Sequence, residues 1–122
     1  MKCDPDVMKQ RTKDLALRIL RLCRSLPHSD EARILGNQLL RSSTSVGANY
    51  RAACRARSRA EFISKLGVVL EEADETVFWL ELLSEANVFG TEKLDGLTKE
   101  ANELVSIFVA SLCTAKGTNS AA

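Results

Sequence analysis

Four carboxylates, Glu71, Glu72, Asp74 and Glu75, fall within five residues of a segment whose apolar positions recur with helical spacing. Carboxylates on a bundle helix are raw material for a di-iron or di-manganese centre, which needs Glu-x-x-His pairs on two helices. The single histidine, His28, follows Pro27 in a segment that reads as a loop, so that centre lacks its nitrogen ligands. The acids stand at like-charge i,i+3 and i,i+4 spacings, each mildly destabilising, and require cationic neighbours. In an antiparallel hairpin turning near residue 58, Arg41 falls opposite Glu75. One histidine also removes the commonest general base, and no spacing assembles a Ser-His-Asp triad. Gly36, Gly47 and Gly67 are isolated within helical patterns, where they permit close helix packing and do not form a phosphate loop. Cys54, flanked by Arg51 and Arg55, has the neighbours that lower a thiol pKa, but a packed thiol in a small-residue seam is the simpler reading. The expectation is a protein that is not an enzyme and holds no cofactor or metal.

The second cluster is cationic. Arg51, Arg55, Arg57, Arg59 and Lys65 gather around one turn, with Glu61 the only acid among them. In an up-and-down bundle, Lys9, Arg11 and Lys13 at the start of the first helix and Lys116 at the end of the last reach the same pole. Glu81, Glu85, Glu92 and Asp95 collect at the other. A basic pole is the electrostatic footprint for nucleic-acid phosphates, which makes those five residues candidates for binding RNA or DNA. A solvated helix end, or a contact with the acidic surface of a neighbouring subunit, is the alternative. The asymmetry extends along the chain: residues 1–65 carry fourteen Lys/Arg against six Asp/Glu, and residues 66–122 carry three against ten.

The elements that position these groups are four helices, expected over residues 5–26, 30–56, 59–86 and 92–114. Asp4 caps the first, Pro5 suits its first turn, and Pro27 ends it by pushing the preceding residue out of the helical region. Met8, Thr12, Leu15, Ile19, Leu22 and Leu26 form one face, widened by Leu20 and Cys23. Ser29, with Asp30 and Glu31, opens the second helix. Its seam reads Leu35, Leu39, Ser42, Val46, Asn49, Ala53 and Ala56, and the polar members need hydrogen bonds, for which Ser45 is a nearby partner.

Ser58 and Glu61 form a capping box for the third helix. Phe62, Leu66, Val69, Ala73, Thr76, Leu80 and Leu83 carry its seam, with Ile63, Leu70 and Val77 alongside. Asn87 to Gly90 reads as a loop suited to left-handed backbone, and Thr91 is placed to cap a fourth helix with the seam Leu94, Leu97, Ala101, Leu104 and Phe108. Short connections make this an all-α, antiparallel, up-and-down four-helix bundle over residues 1–115, followed by a disordered tail at 116–122.

Composition agrees. The 122 residues are 45% hydrophobic and 27% charged with only two prolines, the balance of one helical domain able to bury a core without staples. Cys3, Cys23, Cys54 and Cys113 are far apart, without a Cys-x-x-Cys pair, and read as free thiols of a reducing compartment. The opening MKCDPDVMKQRTKD is too charged for a secretory signal, and no apolar run approaches the ~20 residues that cross a bilayer, so a cytoplasmic location without membrane contact is expected.

One bundle seam uses about three positions in seven. Around Val77, Phe78, Trp79, Leu82 and Leu83 the third helix carries more apolar surface than that. These five residues are therefore candidates for an interface in a closed homo-oligomer, in which the basic early half of one copy meets the acidic late half of the next.

The hairpin resembles the bacterial four-helix-bundle proteins related to the intervening-sequence protein of large-subunit ribosomal RNA genes. The resemblance lies in Leu39-Leu40-Arg41-Ser42, in the run from Thr44 to Tyr50, in Ala56-Arg57-Ser58 with Glu61-Phe62, and from Lys65-Leu66-Gly67 through Glu71 to Thr76 and Trp79-Leu80. It implies a small cytosolic bundle without enzymatic activity, assembled as a ring of five. Relatives of this kind serve reverse transcriptases of diversity-generating retroelements as accessory proteins, binding RNA and protein through a basic surface. The chain departs from the pattern after Asn49, where Tyr50-Arg51-Ala52-Ala53 replaces Ile-Ala-Glu-Gly, which marks a separate branch.

Overall fold

The computed structural model of the protein describes residues 4–88 and 90–117, with the backbone alone at Thr91. Four helices, α1 (Pro5–Arg24), α2 (Asp30–Cys54), α3 (Arg59–Glu85) and α4 (Thr91–Lys116), form the antiparallel up-and-down bundle that the periodicity predicts. α1 packs on α2, α2 on α3 and α3 on α4, and a slighter α1–α4 contact closes the bundle, leaving α1 and α3 across one diagonal. Among the described residues, no helix is long and apolar enough to cross a membrane.

The helix ends follow from side chains that satisfy exposed backbone groups. Asp4 accepts hydrogen bonds from the N–H groups of Asp6 and Val7, Ser29 from Ala32, and Ser58 from Glu61. α1 ends two residues earlier than expected, because Ser25 takes the cap position and its hydroxyl donates to the Leu22 carbonyl at 3.0 Å before Pro27 can act. α2 stops at Cys54, with Arg55 as its cap.

α3 ends in a Schellman arrangement. Asn87 adopts φ 55°, its N–H donates to Ser84, and the Val88 N–H donates to Leu83. Gly90, and not Thr91, is the N-cap of α4. At the other end, Gly117 closes α4 with φ 75°, so helix continues through Lys116, where the tail was expected to begin. Residues 1–3, 89 and 118–122, including Cys3 and most of that tail, lie outside the described residues.

The core joins all four helices. Leu15 and Ile19 of α1, Leu39 and Val46 of α2, Leu66 and Leu80 of α3, and Leu104 and Phe108 of α4 are essentially inaccessible. Burying each such side chain contributes about 1.5–3 kcal/mol before conformational entropy is subtracted. The α2 seam differs from the expected one. Ala32, Gly36, Ser43 and Tyr50 are buried, whereas Leu35, Asn49 and Ala56 are half-exposed, because the small residues of this helix let both flanking helices approach it. Tyr50 reaches Phe108, ring centroids 5.6 Å apart.

Close approach is visible at Gly47, where a Cβ would lie 3.3 Å from the Thr12 hydroxyl of α1. Among the described residues, the buried polar side chains are all satisfied. Thr12 donates to the Met8 carbonyl at 2.9 Å, and the Ser42 and Thr76 hydroxyls meet at 3.0 Å across the α2–α3 seam. Asn49 donates to the Ser45 carbonyl at 2.9 Å, so Ser45 serves Asn49 through its backbone while Thr76 serves Ser42.

Candidate functional site

The α2–α3 turn presents the basic residues. α2 ends with its carbonyl dipoles directed at this pole, which favours cations there. Arg51, Arg55 and Arg57 project into solvent, and among the described residues no carboxylate lies within ion-pair distance of any of them. Glu61 is occupied locally, accepting from the Arg57 N–H at 3.4 Å while its own N–H donates to Ser58. Lys9 and Lys13 of α1 line one shallow groove with Arg51, which joins the start of α1 to the turn.

Three other cations behave differently. Arg59 donates its Nε–H to the Ala115 carbonyl and caps the end of α4, a structural task. Lys65 is half-buried, further along α3. Arg11, expected at this pole, instead reaches α4, with Nη2 2.7 Å from Glu100 and 3.1 Å from Glu103. The Glu100 hydrogen bond, opposed by partial burial, holds the Arg11 pKa above its usual value.

Beside the turn, a groove of about 730 Å³ is lined by Pro5, Lys9, Tyr50, Cys54, Phe62 and Thr114. Cys54 is half-buried in its wall, and Cys23, Cys54 and Cys113 are free thiols. Burial alone pushes the Cys23 thiol pKa up.

Arg41 pairs with both Glu72 and Glu75, as the hairpin register predicts for Glu75, while Glu71 and Asp74 face solvent. Among the described residues, no three His, Cys, Asp or Glu side chains converge on one point.

The apolar excess of α3 divides in two. Val77 and Leu83 are buried in the chain's own core at 7% and 0% exposure, so neither belongs to an outward-facing interface. Both are needed where α3 faces α2 and α4 at once, a demand that a single-seam count overlooks. Phe78 is 53% exposed, and Trp79 and Leu82 are half-buried beside it. The Phe78 and Trp79 rings meet edge-on with centroids 4.9 Å apart. Sequence reasoning missed the outer face of α1, where Arg18, Arg21 and Arg24 flank Leu17 in the open. The signal was present as a second period of three and four on the polar side of that helix.

A family model described as 23S rRNA-intervening sequence protein matches residues 6–110. Among solved structures, the chain is similar to a crystal structure of a protein with unknown function from the S23 ribosomal protein family of Bacteroides thetaiotaomicron VPI-5482. The two are 35% identical over 88% of this chain and 96% of the other, with a TM-score of 0.82. No curated relative matches the chain.

Proposed function

Because the chain belongs to the 23S rRNA-intervening sequence protein family, we propose that it is a non-catalytic, self-assembling cytoplasmic bundle that binds nucleic acid as an accessory protein through its α2–α3 pole. The observation carrying this reading is that Arg51, Arg55 and Arg57 stand exposed together without internal counter-ions among the described residues, while Arg11 and Arg41 are paired within the bundle. Unneutralised guanidinium groups on one helix end suit phosphate oxygens, whose counterions are released on binding. Self-assembly is supported by Phe78, whose exposure leaves a large aromatic surface in water. A closed ring is the proposed form, with the number five supplied by the resemblance, and no resident metal or cofactor takes part.

RNA and DNA binding measured against salt concentration tests the role. Affinity should fall steeply as salt rises, and the paired substitution Arg55→Glu with Arg57→Glu should abolish it while the mass of the assembly stays unchanged. Binding indifferent to that reversal, or absent at low salt, would favour the second reading, a purely structural or protein-interaction scaffold, which the exposed Phe78 edge also supports.

A further inference from the structure

The outer faces of α1 and α3 carry opposite charge. On α1 the exposed set includes Lys13, Arg18, Arg21 and Arg24, against a single acid, Asp14, over the same span. Leu17 lies among them at 40% exposure. On α3, Glu71, Asp74, Glu81 and Glu85 are exposed, and from residue 64 to 85 no cation is exposed on that helix. Val68 and Phe78 lie in this stripe at 42% and 53% exposure. None of these four cations or four acids has an ion-pair partner within the described chain.

Each stripe follows a helical repeat of three and four along the side turned away from the core. The two helices occupy one diagonal of the bundle, so the stripes point to opposite sides. They also run in the same direction, being the first and third helices of an up-and-down order.

The register of the bundle sets their heights. Thr12 sits against Gly47 and Cys23 against Gly36, and Arg41 sits against Glu72 and Glu75. Carried through α2, where Ser42 also meets Thr76, these contacts place Lys13 level with Glu71, Arg18 and Arg21 between Asp74 and Glu81, and Arg24 level with Glu81. Two copies side by side, axes parallel, would bring cation against acid along the stripe, with apolar side chains between them. A contact between two different faces repeats head to tail and closes where the rotation allows.

We infer that the basic outer stripe of α1 in one copy docks on the acidic, Phe78-centred outer stripe of α3 in the next. The occupant of each face is thus a second copy of this chain, chosen by charge complementarity and matched height. This rests on the self-assembly proposed above and assigns its surfaces.

Light scattering at micromolar protein on three variants tests it. Arg18→Glu with Arg21→Glu, and separately Glu71→Lys with Asp74→Lys, should each reduce the assembly to the 13.4 kDa chain, because like charges then face each other. The chain carrying all four substitutions should recover the mass of the unmodified protein. All four positions are exposed, and helical circular dichroism verifies folding. Should a reversed pair fail to fold, Arg18→Gln with Arg21→Gln is read in its place. An assembly unaffected by both reversed pairs, or a fourfold variant that stays monomeric, would overturn the assignment and leave self-assembly standing. A monomeric unmodified protein would overturn self-assembly itself.

Discussion

Trp79 donates its indole N–H to Glu75 Oε1 at 3.1 Å, and that same oxygen receives the guanidinium of Arg41 from α2. The ion pair therefore fixes the indole, and the indole fixes the edge on which Phe78 rests. An aromatic surface held this way loses little rotamer freedom when another molecule covers it. Phe78→Ser should lower the assembled mass in light scattering while costing the chain's own stability only about 0.5–1.5 kcal/mol, the worth of its edge-on contact with Trp79. Unchanged mass would remove Phe78 from any interface.

The Ser42 and Thr76 hydroxyls form a buried polar tie between α2 and α3, beside the exposed Arg41 pairs. Thr76→Val leaves Ser42 its own bond to the Leu39 carbonyl but removes its donor, at a cost of about 1 kcal/mol. A double-mutant cycle with Ser42→Ala, read by urea denaturation, should return a coupling of about 0.5–1 kcal/mol. Strict additivity would show that each hydroxyl is served by its own helix alone.

Asn87 holds a left-handed backbone that suits glycine better than any residue with a Cβ. Asn87→Gly should raise the thermal midpoint. Asn87→Ala should cost on the order of 1 kcal/mol, since alanine lacks the local hydrogen bonding that makes asparagine tolerant there. Equal stability of the two variants would contradict the Schellman geometry.

Burial raises the Cys23 pKa, so its thiolate is scarcer in the folded chain than in the unfolded one at the same alkaline pH. Stability linked to this group is complete below the unfolded thiol pKa and declines as pH rises through the folded value. Alkylation by iodoacetamide should be slower at Cys23 than at free cysteine, and Cys23→Ala should flatten the alkaline fall in stability. A thiol reacting at the free rate would argue against its desolvation.

Periodicity and capping chemistry made the four helices legible, because each rests on contacts within a few residues. Arg41 opposite Glu75 was legible too, since hairpin register follows from where the turn lies. Tyr50 was missed as a core residue because its partner, Phe108, is on α4 and becomes a neighbour only once the bundle closes. Sequence order alone groups Arg59 and Arg11 in one basic pole. Their partners, the Ala115 carbonyl and Glu100, also lie on α4, beyond the reach of local pattern. Val77 and Leu83 looked like surplus because burial on two sides of α3 depends on how far its neighbours wrap around it.

The slight α1–α4 seam leans on the pairing of Arg11 with Glu100 and Glu103, whereas the α2–α3 seam, which also carries the Arg41 pairs, depends mainly on its interdigitated side chains. Salt weakens the former and leaves the latter almost untouched. The first helix is thus the one whose attachment on one side responds to ionic strength, while its buried Met8, Leu15, Ile19 and Leu22 hold it in the bundle. Amide hydrogens of α1 should exchange ahead of those in the α2–α3 hairpin, and the gap between them should widen with ionic strength.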